Sequence, residues 1–243
     1  MSKQNTFIIG ATSTFGKATA NELLNDGHDL LLTYFSKENE LSDFKKIAKE
    51  KGSELIILQL DVTNELQVNK IIEESPIKIN NVVYSVSAPI EFKTINEENW
   101  DDFEKQLNVQ IKGLWQIIKK LISDAHPLQS VVVIGSACLF NVPPARLTSY
   151  TVGKYGLLGL VRSLANEFSS RKITVNMISP GVSGEGLSSV YPQKFLELVK
   201  SQTPLKRLVK VKDVAYLVKF LLSKEAEYLT GLNIPIDGGI HMT

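Results

Sequence analysis

The sequence predicts an α/β fold in which helices cover both faces of a parallel β-sheet. Short apolar runs alternate with amphipathic stretches almost to the end of the chain, an order that is typical of β-α-β units. The run from Val131 to Ile134 is apolar at every position, as expected for a parallel strand that is buried on both faces. No linker rich in Pro, Gly or Ser, no internal repeat and no charge block divides the 243 residues, so we expect one domain over residues 1–243.

The individual elements follow from the apolar runs and from the stretches between them. The expected strands are Thr6 to Gly10, Asp29 to Tyr34, Glu54 to Leu60, Asn81 to Ser87, Ser130 to Ser136, Ile173 to Ser179 and a short one from Asn233 to Ile236. The expected helices span residues 16–26, 38–51, 65–74, 97–124, 149–170 and 211–222, with another from Pro192 to Ser201. Open α/β sheets bind ligands outside the carboxyl ends of their strands, so the residues that follow each strand are the first candidates for a site.

Composition narrows the classes of function. The 27 basic residues nearly balance the 26 acidic ones, which gives a net charge of +1, and no basic cluster stands out. This argues against a nucleic-acid partner or an anionic membrane surface. No apolar run approaches the ~18 residues of a membrane helix, and the first apolar stretch breaks at Gly10, too early for a signal peptide. We therefore expect a cytoplasmic protein.

Cysteine and histidine give no indication of disulfide or metal chemistry. Cys138 is the single cysteine, which rules out a disulfide within the chain and is expected to be a buried thiol without a catalytic role. His28, His126 and His241 are scattered without metal-ligand spacing. We expect no metal site, and we expect these histidines at the surface or at helix ends.

Tyr150 and Lys154 are four residues apart in a predicted helix, so both lie on the same helix face. A phenol has a pKa near ~10 in water, and an ammonium that stabilises the phenolate lets it exchange a proton at neutral pH. Ser136 follows Ile134 and brings a hydroxyl to the carboxyl end of its strand. Taken alone, the Tyr-Lys pair is equally compatible with a surface aromatic beside a solvated lysine.

The first predicted strand leads into a turn that begins and ends with glycine, Gly10-Ala11-Thr12-Ser13-Thr14-Phe15-Gly16. Glycine allows backbone N–H groups and a helix N-terminus to approach a pyrophosphate, because no Cβ is in the way. Two glycines six positions apart are also compatible with tight packing of a strand on a helix. The location directly after the first strand favours a dinucleotide site.

Together these features resemble the short-chain dehydrogenase/reductase family over nearly the whole chain. Further segments that carry the resemblance are Asp61-Val62, Ser85-Val86-Ser87-Ala88, Val175 to Gly181, Thr203 to Leu208, Tyr228 to Gly231 and Asp237-Gly238-Gly239. The last three of these segments are most similar to 3-oxoacyl-[acyl-carrier-protein] reductases. The resemblance implies a single doubly wound Rossmann domain with a seven-stranded parallel sheet.

The resemblance also implies roles for individual residues. Tyr150 would donate a proton to a carbonyl oxygen that Ser136 holds, while Lys154 would lower the pKa of the phenol and bind the nicotinamide ribose. Gln110 stands where the family has an asparagine that bends its helix and holds a water of the proton relay. The implied cofactor-binding residues are Gly10, Thr12, Ser13, Thr14, Phe15, Gly16, Lys37, Asp61, Val62, Ser87, Ala88, Tyr150, Lys154, Pro180, Gly181 and Val182.

The chain departs from the family pattern at three places. Thr14 replaces the middle glycine of the first turn, so either its hydroxyl bonds a phosphate or the turn has another shape. Gln110 is one methylene longer than the asparagine it replaces. Ser136 and Tyr150 are 14 residues apart rather than the usual 13 of the family, which is explained by one inserted loop residue or by an alignment that puts Ala137 at the serine position. We favour the first alignment because Ser136 carries a hydroxyl.

The end of the second strand indicates which cofactor is used. An enzyme that selects NAD usually has an acid there to accept hydrogen bonds from the ribose 2′-OH. Here the stretch is Thr33-Tyr34-Phe35-Ser36-Lys37, without an acid, and Lys37 can neutralise part of a 2′-phosphate charge. We expect NADP rather than NAD.

The function implied by the resemblance is NAD(P)H-dependent reduction of a ketone, such as a 3-oxoacyl thioester, on a small-molecule or carrier-tethered substrate. One alternative is a relative with a different small substrate or non-redox chemistry, and another is a dinucleotide-binding sensor without turnover. Trp100 and Trp115 are expected in the core or in a subunit interface, since the family packs the two helices at 97–124 and 149–170 against copies of itself. We expect a homotetramer or a dimer.

Overall fold

Seven parallel strands form one sheet in the described part of the chain, residues 4–140 and 142–242 of a computed structural model. The strands are β1 (Asn5–Ile9), β2 (Asp29–Tyr34), β3 (Leu55–Gln59), β4 (Asn81–Tyr84), β5 (Ser130–Ile134), β6 (Thr174–Pro180) and β7 (Asn233–Ile236). The helices are α1 (Thr14–Asn25), α2 (Ser42–Lys51), α3 (Glu65–Glu73), α4 (Trp100–Leu107), α5 (Gly113–Ser123), α6 (Thr148–Glu167), α7 (Gln193–Gln202) and α8 (Val211–Leu221). The predicted α/β architecture is confirmed.

The strand order is β3-β2-β1-β4-β5-β6-β7, and every neighbouring pair is parallel. The chain builds outward from β1 to β3 and then returns to the other side of β1 with β4. Ile9 at the end of β1 is therefore paired with Thr33 on one side and Tyr84 on the other. A crevice at such a reversal is where open sheets bind their ligands.

Two apolar layers hold the helices onto the sheet, one on each face. Alternate residues of a strand point to opposite faces, so Phe7 and Ile9 belong to one layer and Ile8 to the other. All three are almost completely buried. Burial on both faces explains why the strands are apolar at nearly every position, which is the pattern that made them recognisable in the sequence.

The structure shortens several predicted elements. β4 ends at Tyr84 and β5 ends at Ile134, so the residues predicted to complete them, 85–87 and 135–136, are loop. The predicted helix over 38–51 begins with the 3-10 turn Glu38–Leu41, and the helix predicted over 149–170 ends at Glu167. The loop residues at the strand ends are those that line the site described below.

The helix predicted over 97–124 contains a π turn at Asn108–Lys112, between α4 and α5. A π turn accommodates one additional residue and leaves local carbonyls in need of other donors. The buried Tyr84 hydroxyl donates to the carbonyl of Val109 within the turn. Gly113 follows directly, and a Cβ there would clash with this hydroxyl and with the Val62 side chain.

Two histidines are buried rather than at the surface, which corrects that part of the prediction. His28 lies just beyond the end of α1, and its Nδ1 is 3.0 Å from the Thr6 hydroxyl. His126 lies beyond the end of α5, and its Nδ1 accepts from the Ile79 N–H at 3.1 Å. The expectation of helix ends is confirmed for both, but each ring fills a buried position because a hydrogen bond satisfies its nitrogen.

Trp100 and Trp115 lie outside the core, with 66% and 45% of their surface exposed. Of the two expected locations, the core is wrong because both side chains are exposed, and the subunit interface stays a prediction. No described helix is long and apolar enough to cross a membrane.

Candidate active site

A cavity of about 830 Å³ opens at the carboxyl ends of the strands. Its lining comes from the turn before α1, from the ends of β4, β5 and β6, from one face of α6 and α7, and from the tail after β7. Residues distant in sequence therefore converge on one space. Within the described residues, no group of three His, Cys, Asp or Glu side chains could hold a metal ion.

The turn before α1 forms one end of the cavity. Gly10 has a φ of +79°, and a Cβ there would lie 2.5 Å from the Ser85 carbonyl oxygen, so only glycine fits. Ser13 caps α1 by accepting from the Gly16 N–H at 3.0 Å. The N-terminus of α1 thus faces the cavity, and this combination of close backbone and helix N-terminus fits a dinucleotide phosphate.

Thr14 does not leave the turn open in the way a glycine would. Its hydroxyl lies so close to Gly186 that a Cβ on Gly186 would overlap it, and Gly186 has a φ of +57°. The segment after β6 therefore packs on the turn through a matched pair, a threonine on one side and a glycine on the other.

Ser136, Tyr150 and Lys154 line the same cavity. Ser136 caps a short 3-10 turn, where its oxygen accepts from the Cys138 N–H at 3.3 Å. Lys154 is buried, and its ammonium donates to the Ile134 carbonyl at 3.1 Å. The same ammonium lies 5.8 Å from the centroid of the Tyr150 ring. The three side chains that the sequence singled out are therefore brought together.

Burial changes the acidity of the two titratable groups in opposite senses. It lowers the pKa of Lys154 to about 8 and raises the pKa of Tyr150 above its ordinary value, while the Ser136 hydroxyl lowers that of Tyr150 to a smaller extent. The net shift of the Tyr150 pKa is upward because burial, with Cys138 and Tyr191 acting in the same sense, outweighs the Ser136 hydrogen bond; a lowering by Lys154 stays a prediction. A neutral phenol is nonetheless the form that can donate a proton.

Gln110 lies behind α6 rather than among the described residues that line the cavity. The π turn directs its amide against Gly153, where a Cβ would lie 2.7 Å from the amide nitrogen. That nitrogen donates to the Gln106 side chain at 2.8 Å, while the buried amide oxygen of Gln110 has no partner. Gln110 therefore packs on α6 beside Lys154 without lining the cavity, and its role in a proton relay stays a prediction.

The predicted cofactor residues divide into two sets. Those that line the cavity are Thr12, Ser13, Thr14, Phe15, Lys37, Ser87, Tyr150, Lys154, Pro180, Gly181 and Val182. Those that do not line it are Gly10, Gly16, Asp61, Val62 and Ala88. The two glycines lie within the turn, whereas the Asp61 carboxylate accepts from the Thr63 N–H and hydroxyl at 2.9 and 2.7 Å. Asp61 is therefore engaged in its own turn.

Sequence reasoning missed three groups on the cavity wall. Lys17 and Glu40 form an ion pair with 2.5 Å between nitrogen and oxygen. His241, which is half-buried, pairs through Nδ1 with the buried Asp237 at 2.6 Å. Tyr191 stacks on Phe195 with 4.6 Å between ring centroids. The partners in the first pair are 23 residues apart, so no local spacing could have announced it.

The fold and the cavity define a class of protein, the α/β oxidoreductases that bind a dinucleotide at a Tyr-Lys-Ser centre. A family model described as enoyl-(acyl carrier protein) reductase matches residues 10–241. The chain belongs to the short-chain dehydrogenase/reductase family.

Curated relatives and solved structures agree with this assignment. The chain is 30% identical over 242 residues to a 3-oxoacyl-[acyl-carrier-protein] reductase of Thermotoga maritima, with 96% of each chain covered. It is 29% identical to the enzyme of the same name from Buchnera aphidicola, covering 99% of this chain and 98% of that one. A blue fluorescent protein from a metagenomic library, solved in complex with NADPH, is 25% identical with a TM-score of 0.88, covering 98% and 97% of the two chains.

Proposed function

We propose that the chain is an NADPH-dependent reductase of ketones, with 3-oxoacyl thioesters as the substrate class. The observation that carries this proposal is the convergence of Ser136, Tyr150 and Lys154 on a cavity whose other end is a glycine turn at a helix N-terminus. The 3-oxoacyl class is supported by the similarity to the two reductases of that name.

The catalytic roles follow from the available protons. The raised pKa keeps the Tyr150 phenol protonated at neutral pH, so it can donate its proton to the carbonyl oxygen. The Ser136 oxygen accepts from the Cys138 N–H, and its hydroxyl is hydrogen-bonded to the phenol of Tyr150; the Ser136 proton would turn to the carbonyl oxygen when a substrate is bound. Lys154 carries a buried positive charge beside the phenol and would donate to ribose hydroxyls of the cofactor. The nicotinamide supplies hydride when bound.

The other walls of the cavity suit an extended acyl substrate. Apolar and aromatic side chains line the end beyond Tyr150, including Ile90, Leu187, Tyr191 and Phe195. Such a wall accepts an alkyl chain by burial of apolar surface and leaves orientation to a few polar groups. His241, paired with Asp237, is one of the polar groups on this lining.

NADPH is the proposed cofactor because two lysines, Lys17 and Lys37, face the end of the cavity expected to hold the adenosine. We also propose a homo-oligomer, a tetramer or a dimer. It is supported by large apolar side chains exposed on the outer helices, among them Trp100, Trp115, Val152 and Tyr155.

The proposed acid is tested by Tyr150→Phe, which keeps the ring and removes the proton. We expect kcat for a 3-oxoacyl thioester with NADPH to fall at least about a hundredfold, ~3 kcal/mol in barrier, while NADPH binding changes little. The matched control is Tyr216→Phe on α8, whose exposed side chain does not line this cavity and which should keep near wild-type activity.

Steady-state rates with NADPH and NADH over a panel of ketones provide the measurement. A Tyr150→Phe enzyme that retains more than about a tenth of wild-type kcat would show that another group supplies the proton. A wild-type kcat/KM that is higher with NADH would overturn the cofactor assignment.

A further inference from the structure

We propose that Glu40 is a built-in competitor of the cofactor's 2′-phosphate for Lys17 and Lys37, and that it sets how strongly the site prefers NADPH over NADH. The inference rests on the proposed function, because it concerns the adenosine end of the same cavity. Glu40 would be a specificity-determining residue: it pairs with Lys17 and Lys37 in the free protein, and these ion pairs break when a 2′-phosphate binds to the two lysines.

The geometry that motivates this proposal is a carboxylate shared between two ammonium groups. One Glu40 oxygen lies 2.5 Å from the Lys17 nitrogen, and the other lies 3.5 Å from the Lys37 nitrogen. All three residues line the cavity. Hydrogen bonding from Lys17 lowers the pKa of Glu40, so its carboxylate stays charged at neutral pH.

The three side chains come from two elements that meet at the carboxyl ends of β1 and β2. Lys17 lies in the first turn of α1, directly after Gly16, and it is thus next to the expected phosphates. Lys37 and Glu40 lie in the short connection after β2, where Lys37 has a left-handed φ of 67°. The connection brings Glu40 to Lys17 on α1 and Lys37 to Glu40.

Charge balance identifies the occupant that the cluster would accept. One carboxylate leaves the two lysines with a surplus of one positive charge, whereas a phosphate of charge near −2 would match them. An uncharged ribose hydroxyl needs no such exchange, since it can donate a hydrogen bond to Glu40 as it stands. The same cluster thus accommodates both cofactors, but the Glu40 carboxylate weakens the binding of NADPH because it repels the 2′-phosphate.

The side chains keep part of their solvent contact, which sets the expected magnitude. Side-chain exposure is 40% for Lys17, 30% for Glu40 and 68% for Lys37, so each charge pair is partly screened. Pairs of this kind contribute up to about 1 kcal/mol each. Removal of the Glu40 charge is expected to change phosphate affinity about five- to tenfold.

The test uses two small probes of the adenosine end, 2′,5′-ADP and 5′-AMP, which differ by the 2′-phosphate. Affinities are measured by calorimetry at fixed ionic strength for the wild type, Glu40→Gln, Lys17→Met and Lys37→Met. We expect Glu40→Gln to bind 2′,5′-ADP about five- to tenfold more tightly and 5′-AMP within about twofold of wild type. Each lysine variant should bind 2′,5′-ADP more weakly.

Glu38→Gln is the matched control, because Glu38 lies in the same connection but accepts from the Tyr34 hydroxyl at 2.9 Å. It should leave both affinities unchanged. Thermal unfolding of each variant shows whether the connection remains folded. A Glu40→Gln protein that is folded and binds 2′,5′-ADP equally or less tightly would overturn the proposal, since Glu40 would then only position the lysines.

Failure of this inference is separable from failure of the proposed function because neither probe contains nicotinamide. If the wild type reduces ketones with NADPH but Glu40→Gln leaves the 2′,5′-ADP affinity unchanged, the reductase proposal stands and the Glu40 proposal fails. If the variants show the expected affinity changes but the wild type reduces no ketone, the Glu40 proposal stands and the reductase proposal fails. If NADPH supports turnover, its KM should fall in Glu40→Gln more than that of NADH.

Discussion

At the scale of single residues, the buried Lys154 ammonium links the proposed chemistry to stability. Its charge is carried inside the fold, where the single hydrogen bond that the structure shows for it, to the Ile134 carbonyl, replaces its hydration only in part. The pKa of Lys154 is about 8 in the fold, against 10.5 for an ordinary lysine. A group needed near the phenol therefore weakens the folded state while it stays charged.

This shift predicts a pH dependence of unfolding. Between pH 8 and 10.5 the unfolded chain holds the lysine proton more often than the folded chain, so the free energy of unfolding rises with pH in this window. Lys154→Met removes that contribution. Without nucleotide, we expect the stability of Lys154→Met relative to wild type to be greatest at pH 7 and to shrink by on the order of 2 kcal/mol at pH 9.5.

Urea denaturation of both proteins at the two pH values measures the effect. Tyr150 has a raised pKa and acts in the opposite sense at high pH, but it is present in both proteins. Cys138 and Lys154 shift each other's pKa, so both proteins are measured in a Cys138→Ala background. A stability difference that does not change with pH would mean that Lys154 titrates as in the unfolded chain.

Sequence reasoning identified the residues with distinctive chemistry but not their charge environment. Ser136, Tyr150 and Lys154 were recognisable because a helical spacing and a strand end are local features. The ion pair of Lys17 and Glu40 was not, because it joins two elements whose contact depends on the sheet order. The direction of the Tyr150 shift also depends on burial, which no local pattern reveals.

At the scale of elements, the π turn at Asn108–Lys112 is the main departure from the predicted helix. An apolar periodicity that continues on both sides of one additional residue looks like a single helix in the sequence. The Val109 carbonyl in the turn needs a donor from outside the helix, and the Tyr84 hydroxyl on β4 is that donor. This hydroxyl fits only because Gly113 has no side chain. The residues that stabilise the π turn thus lie in elements distant in sequence, so no local pattern predicts it.

The contact predicts a strong coupling between Tyr84 and Gly113. Gly113→Ala should destabilise the wild type, because its Cβ would clash with the Tyr84 hydroxyl, by about 2 kcal/mol or more. Tyr84→Phe alone should cost about 1 to 2 kcal/mol, since it leaves the Val109 carbonyl without its donor. In the double variant the alanine has more room, so the two losses should not add.

A double-mutant cycle by denaturant unfolding measures this coupling. Gly159→Ala on α6 is the control, because a Cβ built there meets no atom within 4 Å beyond its chain neighbours and its own helix backbone. It should be neutral or slightly stabilising, as alanine is the better helix former. Losses at Tyr84 and Gly113 that simply add would mean that the hydroxyl does not fill the space beside the glycine.

At the scale of the whole molecule, the exposed aromatic side chains on α4 and α5 predict the behaviour of the proposed assembly. If Trp115 is buried between two copies, a charged side chain at this position would destabilise the interface. Trp115→Glu should therefore shift the protein towards a smaller oligomer at micromolar concentration. Analytical ultracentrifugation of both proteins gives the mass. Leu66→Glu, on an exposed position of α3, is the control and should keep the wild-type mass. Equal masses for Trp115→Glu and wild type would place the interface elsewhere.

Much of the architecture was predictable because parallel strands are apolar on both faces and helices are amphipathic. The adjacency of β1 and β4 was not contained in any local pattern, and the strand count came from the resemblance to a family. The packing of Gly186 on Thr14 could not be predicted either, since it depends on the path of the segment after β6 in the folded protein.

The cavity draws its wall from both ends of the described chain, with Thr12 at one extreme and His241 at the other. A ribosome must therefore have made residue 241 and released it from the exit tunnel before the wall is whole. Until then a nucleotide has only part of its site to bind and adds little mass-action stability to the growing chain. Up to that point the growing chain depends mainly on its two apolar layers for stability.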